Sequence, residues 1–398
     1  MRILLIVVYY LPSTKSSAKL MDDLAGEFLR LGHEPVVLTP DERLASPSEV
    51  TEVNGVKVLR VRTGKIDGAS KIVRGINEVL LSAVLWRRGR KFFRENRCDL
   101  IVWYSPSIFF GALVKRLKKL FNCPSYLILR DIFPQWAVDM GVLKKGLVYQ
   151  FFHRKEIEQY EAADIIGVQS PANLDYFHKN GFDKKYRLEV LYNWAKLEES
   201  DVPKSNFREK LGLQGKVVFF YGGNIGVAQD MDNLLRLAEG LRHEAAAHFL
   251  LVGSGSEVER LQKTIIDKKL SNIIIHGPVE QRQYLAMLSE FDVGLILLDR
   301  NLKTQNFPGK MLGYMYYSMP ILASINEGND LKNVIEKKGA GLISINGDDG
   351  RFYDNALRLL KDENLRRLMG RNARMLLEET FSVNRAAARI LSHFAPAD

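Results

Sequence analysis

Val217-Val218-Phe219-Phe220-Tyr221-Gly222-Gly223-Asn224-Ile225-Gly226 is the stretch on which the fold turns. Its opening run is apolar, β-branched and aromatic. It is short enough to read as a strand buried on both faces. The glycines that follow break the strand, and a helical pattern begins near Asp230. The same unit recurs on either side. Upstream, strand-like runs fall at Arg2–Val8, Glu34–Leu38, Val56–Val61, Leu100–Trp103, Ser125–Leu129, Ile165–Val168 and Arg187–Leu191. Downstream they fall at His248–Val252, Ile273–His276, Val293–Leu297, Ile321–Ala323 and Gly341–Ile343. Most are followed by a helical pattern. The first of these helices sets Ala18, Met21, Leu24, Ala25, Phe28 and Leu31 on one face and stops at Gly32. Alternating strand and helix predicts an α/β chain with parallel sheets covered on both faces.

The runs are too many for one compact sheet. They divide about evenly at the polar, aperiodic segment Asn193–Phe207, which reads as an interdomain connection. The expectation is two Rossmann-like doubly wound domains facing a cleft, residues 1–195 and 196–380. A terminal helix within 381–398 would pack back on the first. A dinucleotide site is not expected, because Tyr9-Tyr10-Leu11-Pro12-Ser13-Thr14-Lys15-Ser16-Ser17-Ala18 follows the first strand without a GxGxxG pattern.

Hydrophobic residues make up 46% of the 398 and charged residues 26%, the balance of a folded globular chain. Cys98 and Cys123 form neither a disulfide framework nor a zinc pattern, and the seven histidines lack metal-ligand spacing. The apolar start, Ile3–Val8, is too short for a signal sequence and has no small-residue cleavage site after it. No stretch reaches the roughly 20 apolar residues of a membrane span, so a cytoplasmic protein is expected. The net charge of +10 favours an anionic partner: nucleic acid, anionic lipid or a phosphorylated substrate. No helix-turn-helix, ribonucleoprotein or zinc motif supports the first.

The glycine turn at Gly222–Gly226 brings backbone amides close to whatever sits beside it, and a following helix N-terminus favours an anion. Tight turns alone would also use these glycines. Val252-Gly253-Ser254-Gly255 and His276-Gly277-Pro278-Val279 repeat the arrangement at strand ends, where open α/β sheets bind ligands. In Asn301-Leu302-Lys303-Thr304-Gln305-Asn306-Phe307-Pro308-Gly309-Lys310-Met311, a loop enters a helix at Pro308. Free amides there together with Lys310 would suit a diphosphate.

These segments in this order, with Tyr314-Met315 and Ser318-Met319-Pro320-Ile321 after them, resemble glycosyltransferase family four. Tyr10-Leu11-Pro12 and Leu31-Gly32-His33-Glu34-Pro35-Val36-Val37-Leu38-Thr39 resemble that family's opening strand, helix and second strand. The resemblance covers essentially the whole chain. Within the family, Gly223–Gly226 and Phe307–Lys310 are most similar to N-acetyl-L-fucosaminyl transferases of bacterial O-antigen and capsule synthesis. It implies a GT-B fold, a nucleotide-sugar donor (UDP-linked by family habit), retention of configuration, and no cofactor or required metal. It further implies a polyprenyl-diphosphate-linked glycan acceptor. The donor residues it implies are Gly223, Asn224, Gly226, Gly253, Gly255, Val279, Phe307, Pro308, Gly309 and Lys310. The family's two glutamates fall on Gln305 and Gly313, and its basic pair on Asn224 and Gln229. Lys310 is therefore the expected diphosphate cation, ahead of Lys303, Arg282 and Arg300, and Gln305 the expected partner of a donor hydroxyl. A GT-B epimerase and a non-catalytic basic binding protein are the alternatives.

On the first domain, Arg130 and Asp131 follow a strand and would line the acceptor side, with Ser16 and Ser17 leaving room for acceptor and phosphate. Ile72, Val73, Ile76, Val79, Leu80, Ala83, Val84 and Trp86 form an apolar helical pattern running into Arg87–Arg94. Val114–Phe121 has similar character, and Lys144-Lys145 adds charge. These suit peripheral contact with the inner face of the cytoplasmic membrane. A core helix with a solvated basic end would read the same way.

Overall fold

The structure is a computed structural model and describes residues 1–197, 205–302 and 307–394, without the side chain of Lys71. The chain forms two compact units, Met1–Lys196 with Val383–Asp398, and Leu197–Ser382.

The first unit holds β1 (Arg2–Ile6), β2 (Glu34–Pro40), β3 (Ser48–Val53), β4 (Val56–Val61), β5 (Leu100–Ser105), β6 (Ser125–Leu129), β7 (Ile165–Val168) and β8 (Leu188–Val190). They form one sheet in the order β3-β4-β2-β1-β5-β6-β7-β8. All pairings are parallel except β3 with β4. In β1 the side chains alternate between two buried layers. Ile3 and Leu5 pack with the helix Ser16–Arg30, and Leu4 and Ile6 with the helices Lys71–Glu95 and Gly111–Phe121. Leu31, expected on the buried face of its helix, is exposed at the C-cap.

The helix Val383–Leu391 buries Val383, Ala386, Ala387 and Ile390 in the same layer as Met21, Leu24 and Trp194. The chain returns to this unit through a hydrogen bond from the Val383 amide to the Ala195 carbonyl (3.0 Å).

The second unit is wholly parallel: β9 (Val217–Gly222), β10 (Ala247–Val252), β11 (Ile273–His276), β12 (Val293–Leu297), β13 (Ile321–Ile325) and β14 (Gly341–Ile345), in the order β11-β10-β9-β12-β13-β14. The order reverses between β9 and β12, the switch point at which doubly wound sheets open a ligand crevice.

The strand β3 was not expected from sequence. Ser-Glu-Val-Thr-Glu-Val is a half-exposed edge strand, and its polar alternation lacks the apolar run of the central strands. Asn54 and Gly55 at positive φ (52° and 77°) join it to β4, the two-residue turn that suits a hairpin.

Candidate functional site

The second unit carries a cavity of about 520 Å³ outside the carboxyl ends of β9, β10 and β11. Gly222–Asn224, Val252–Ser254, Pro278, Val279, Tyr284 and Lys310 line it. Two glycine turns form its floor, and each holds the other. The Gly223 amide donates to the Val252 carbonyl (2.9 Å) and the Ile225 amide to the Ser254 carbonyl (2.9 Å). Gly223 sits at φ 125°, a conformation open to glycine. A Cβ on Gly253 would lie 1.9 Å from the Gly223 carbonyl oxygen, and one on Gly255 2.0 Å from that of Ile225. Both of these glycines are required by turn-on-turn packing before any ligand is considered.

Lys310 begins the helix Lys310–Tyr316, two residues later than the sequence suggested. Its Nζ lies 3.4 Å from the ring centroid of Tyr221, at the end of β9. The Tyr221 hydroxyl in turn donates to the Asn224 carbonyl (2.6 Å), so the ring is braced by the same glycine turn. Among the described residues Lys310 has no carboxylate partner, and it is the one charged side chain lining the cavity. Burial holds its ammonium down to about 7. An ammonium disfavoured by desolvation and resting on a π face stands to gain from an anion beside it. The helix itself is only seven residues long, so the charge rests on the side chain rather than on a macrodipole.

Several expected site residues have other work. Phe307 is buried, with its ring 6.1 Å from Phe381, and does not line the cavity. Pro308 and exposed Gly309 accept the first backbone bonds of the short helix, from Met311 (3.1 Å) and Leu312 (3.2 Å). Asn224 donates to Gln229 Oε1 (3.0 Å), which also accepts from the Gly226 amide (3.1 Å). The two residues standing at the places of a basic pair thus satisfy each other. Gly313 faces Leu288, whose Cδ1 would lie 3.0 Å from a Cβ there. Arg282 and Arg300 are exposed and do not line the cavity. Gln305 and Lys303 lie outside the described residues.

In the first unit a polar cavity of about 400 Å³ opens at the carboxyl ends of β1, β2 and β4, walled by Tyr9, Lys15, Asp41, Arg43, Arg60 and Asp67 among others. Ser16 and Ser17 are the first residues of the helix beside it, Ser16 exposed and Ser17 half-buried. Asp131 follows β6 and is half-buried, and desolvation raises its carboxyl above the ordinary range despite the neighbouring Arg130. Arg130, expected beside it on the acceptor side, is turned inward. Its guanidinium is buried, donates to the Leu191 and Tyr192 carbonyls, and lies over Trp194 (5.4 Å), fixing the segment that leaves β8.

Val114–Phe121 is likewise a core element. Val114, Leu117 and Phe121 are buried, while Lys115 and Lys118 pair outward with Glu161 and Asp164. Cys98 and Cys123 are free and buried, and desolvation pushes both thiols up to about 12.

Residues 203–376 match the family described as glycosyl transferases group 1, and residues 18–194 match a glycosyl transferase 4-like domain. Each compact unit thus matches a glycosyl transferase family, and together the two matches span most of the chain. A probable glycosyltransferase of Pseudomonas aeruginosa, WbjE, is 28% identical over 54% of this chain and 54% of its own. WcaI of Escherichia coli K12, whose name ties it to colanic acid biosynthesis, is 24% identical over 55% of each. The chain thus spans little more than half the length of these curated relatives. Among solved structures, Anabaena HepE in complex with UDP superposes on all of this chain and on all of its own, with a TM-score of 0.69 at 14% identity. That likeness establishes a shared fold.

Proposed function

We propose that the protein transfers a sugar from a nucleoside diphosphate, UDP, to a glycan precursor, with the donor held in the cavity of the second unit. The observation that carries this is Lys310: a largely desolvated ammonium on Tyr221, without a carboxylate partner among the described residues, facing two glycine turns at a sheet switch point. There it offsets the charge that builds on the diphosphate as the sugar–oxygen bond breaks. The acceptor hydroxyl attacks the face that the diphosphate leaves, so configuration is retained. Asp131 belongs to the acceptor side. The likeness at Gly223–Gly226 and Phe307–Lys310 favours N-acetyl-L-fucosamine as the sugar. A polyprenyl-diphosphate-linked precursor of O-antigen or capsule is the matching acceptor, in keeping with the polysaccharide named for WcaI.

Calorimetry with UDP, GDP and ADP tests the donor half. Selective UDP binding, weakened at least tenfold in Lys310→Ala, is expected; no nucleotide binding would sink the reading. Asp131→Asn should lower turnover while leaving UDP affinity unchanged. Because the cation is a side chain, UDP binding should also survive EDTA.

A further inference from the structure

The first unit exposes apolar side chains in an unusual concentration. The helix Lys71–Glu95 has two apolar faces. Leu81, Leu85 and Phe93 are buried against the sheet. Ile72, Val73, Ile76, Val79 and Leu80, in its first turns, are all exposed. At roughly 100° per residue these five fall within about 120° of one another, a continuous stripe turned away from the core.

A second group lies between β6 and β7. Trp136, Met140, Val142, Leu147, Val148 and Phe151 are exposed there, in and after the short helix Gln135–Asp139 and at the start of the helix Leu147–Ala162.

A chain of contacts joins the two groups. The Trp136 ring lies 5.9 Å from Phe133, Phe133 5.0 Å from Phe152, and Phe152 6.4 Å from Phe109. The Phe109 carbonyl accepts a hydrogen bond from Ser82 of the long helix. Both groups therefore flank the single turn Ile108–Phe110 that follows β5, on the carboxyl-end rim of the sheet. The long helix also grows directly out of the wall of the polar cavity, since Ile66 and Asp67 line that cavity a few residues before it starts.

We propose that this rim is a docking surface for an anionic lipid bilayer. Three features argue for lipid over a protein partner. The most projecting side chains, Leu147 at 84%, Ile72 at 77% and Val142 at 75% exposure, stand out as knobs rather than lining a groove, and suit a deformable medium. Lys144 and Lys145 sit among them, both exposed and without an ion pair among the described residues. Nearby Glu78 and Asp139 are engaged by Arg74 (2.8 Å) and Gln135 (2.7 Å). A second copy docked by two-fold symmetry would bring the lysine pairs toward each other, whereas an acidic headgroup layer meets them with opposite charge. Docked this way, the rim holds the polar cavity at the headgroup level, where a lipid-diphosphate acceptor would present its sugar. That last step rests on the transferase reading; the lipid contact does not.

Vesicle flotation with full-length protein tests the surface, using phosphatidylcholine alone or with 30% phosphatidylglycerol. Wild type is expected to float with the anionic vesicles and release as salt rises. Leu147→Asp combined with Ile76→Asp should reduce bound protein at least tenfold, and Lys144→Glu with Lys145→Glu should remove the preference for anionic lipid. Ile266→Asp, an equally exposed apolar position in the second unit, should bind as wild type. All variants should keep the wild-type tryptophan-fluorescence midpoint, which shows that the first unit folds, and wild-type UDP affinity, which separates this surface from the donor site. Wild type that ignores anionic vesicles at low salt, or rim variants that float normally, would overturn the proposal. A concentration-dependent dimer dissociated by the rim variants would overturn it in favour of self-association.

Discussion

Lys310 concentrates the chemistry of the second unit in one ionisable group, and its titration gives the sharpest prediction. Burial lowers its folded value to about 7, whereas the unfolded chain returns it to the ordinary 10.5. A bound diphosphate stabilises the ammonium and raises the value again. Above pH 7 binding must therefore take up a proton, and affinity should fall with rising pH by up to about tenfold per unit. Below pH 7 the group contributes no pH dependence. Calorimetry at pH 8 in buffers of differing ionisation heat should show the uptake, and Lys310→Arg should abolish it. The same shift has a cost to the fold. Between pH 7 and 10.5 the unfolded chain binds more protons than the folded one at this position, so its destabilising effect grows as pH falls and is complete below 7. Lys310→Met should therefore raise Tm at pH 6 while destroying UDP binding, a trade of stability for function. A lower Tm in that variant would show that the ammonium is better solvated than its surroundings indicate.

At the scale of elements, the glycine turns after β9 and β10 act as a pair. Gly253→Ala should displace the Gly223 carbonyl, lowering Tm and UDP affinity together; affinity preserved at reduced Tm would show the cavity floor to be independent of that contact. The returning helix Val383–Leu391 makes a parallel case in the first unit. Ile390 is wholly buried, so Ile390→Ala should cost about 2–5 kcal/mol, read as a lower urea midpoint. The strand runs, glycine turns and returning helix were legible in sequence because period and punctuation are local properties. Arg130 was not, since its partners at Leu191, Tyr192 and Trp194 are some sixty residues away. The packing of Phe307 against Phe381 is hidden from sequence for the same reason. The apolar positions of Ile72–Trp86 were visible, but sequence could not separate a core stripe from an outward one. That distinction depends on Leu81 and Leu85 taking the buried face. The edge strand β3 carried its own signal in Asn54-Gly55, which outweighs the polar alternation before it.

Over the whole molecule, two compact units with separate cores allow ligand binding to be assigned to one of them by unfolding. All four tryptophans, Trp86, Trp103, Trp136 and Trp194, lie in the first unit. Their fluorescence reports its loss alone, while calorimetry records both. A ligand that binds one folded unit stabilises that unit by RT ln(1 + [L]/Kd), about 2.7 kcal/mol at a hundredfold excess over Kd. If the donor diphosphate is held by Lys310 and the paired glycine turns, saturating UDP should raise the calorimetric transition that is silent in tryptophan fluorescence. The fluorescence midpoint should stay where it is. A fluorescence midpoint that moves with UDP by the same amount would mean either that the units unfold as a single cooperative block or that the nucleotide also engages the first unit. Lys310→Ala distinguishes these. If the residual shift in that variant is confined to fluorescence, the first unit holds part of the nucleotide. If both shifts vanish together, the block is cooperative and the site remains in the second unit.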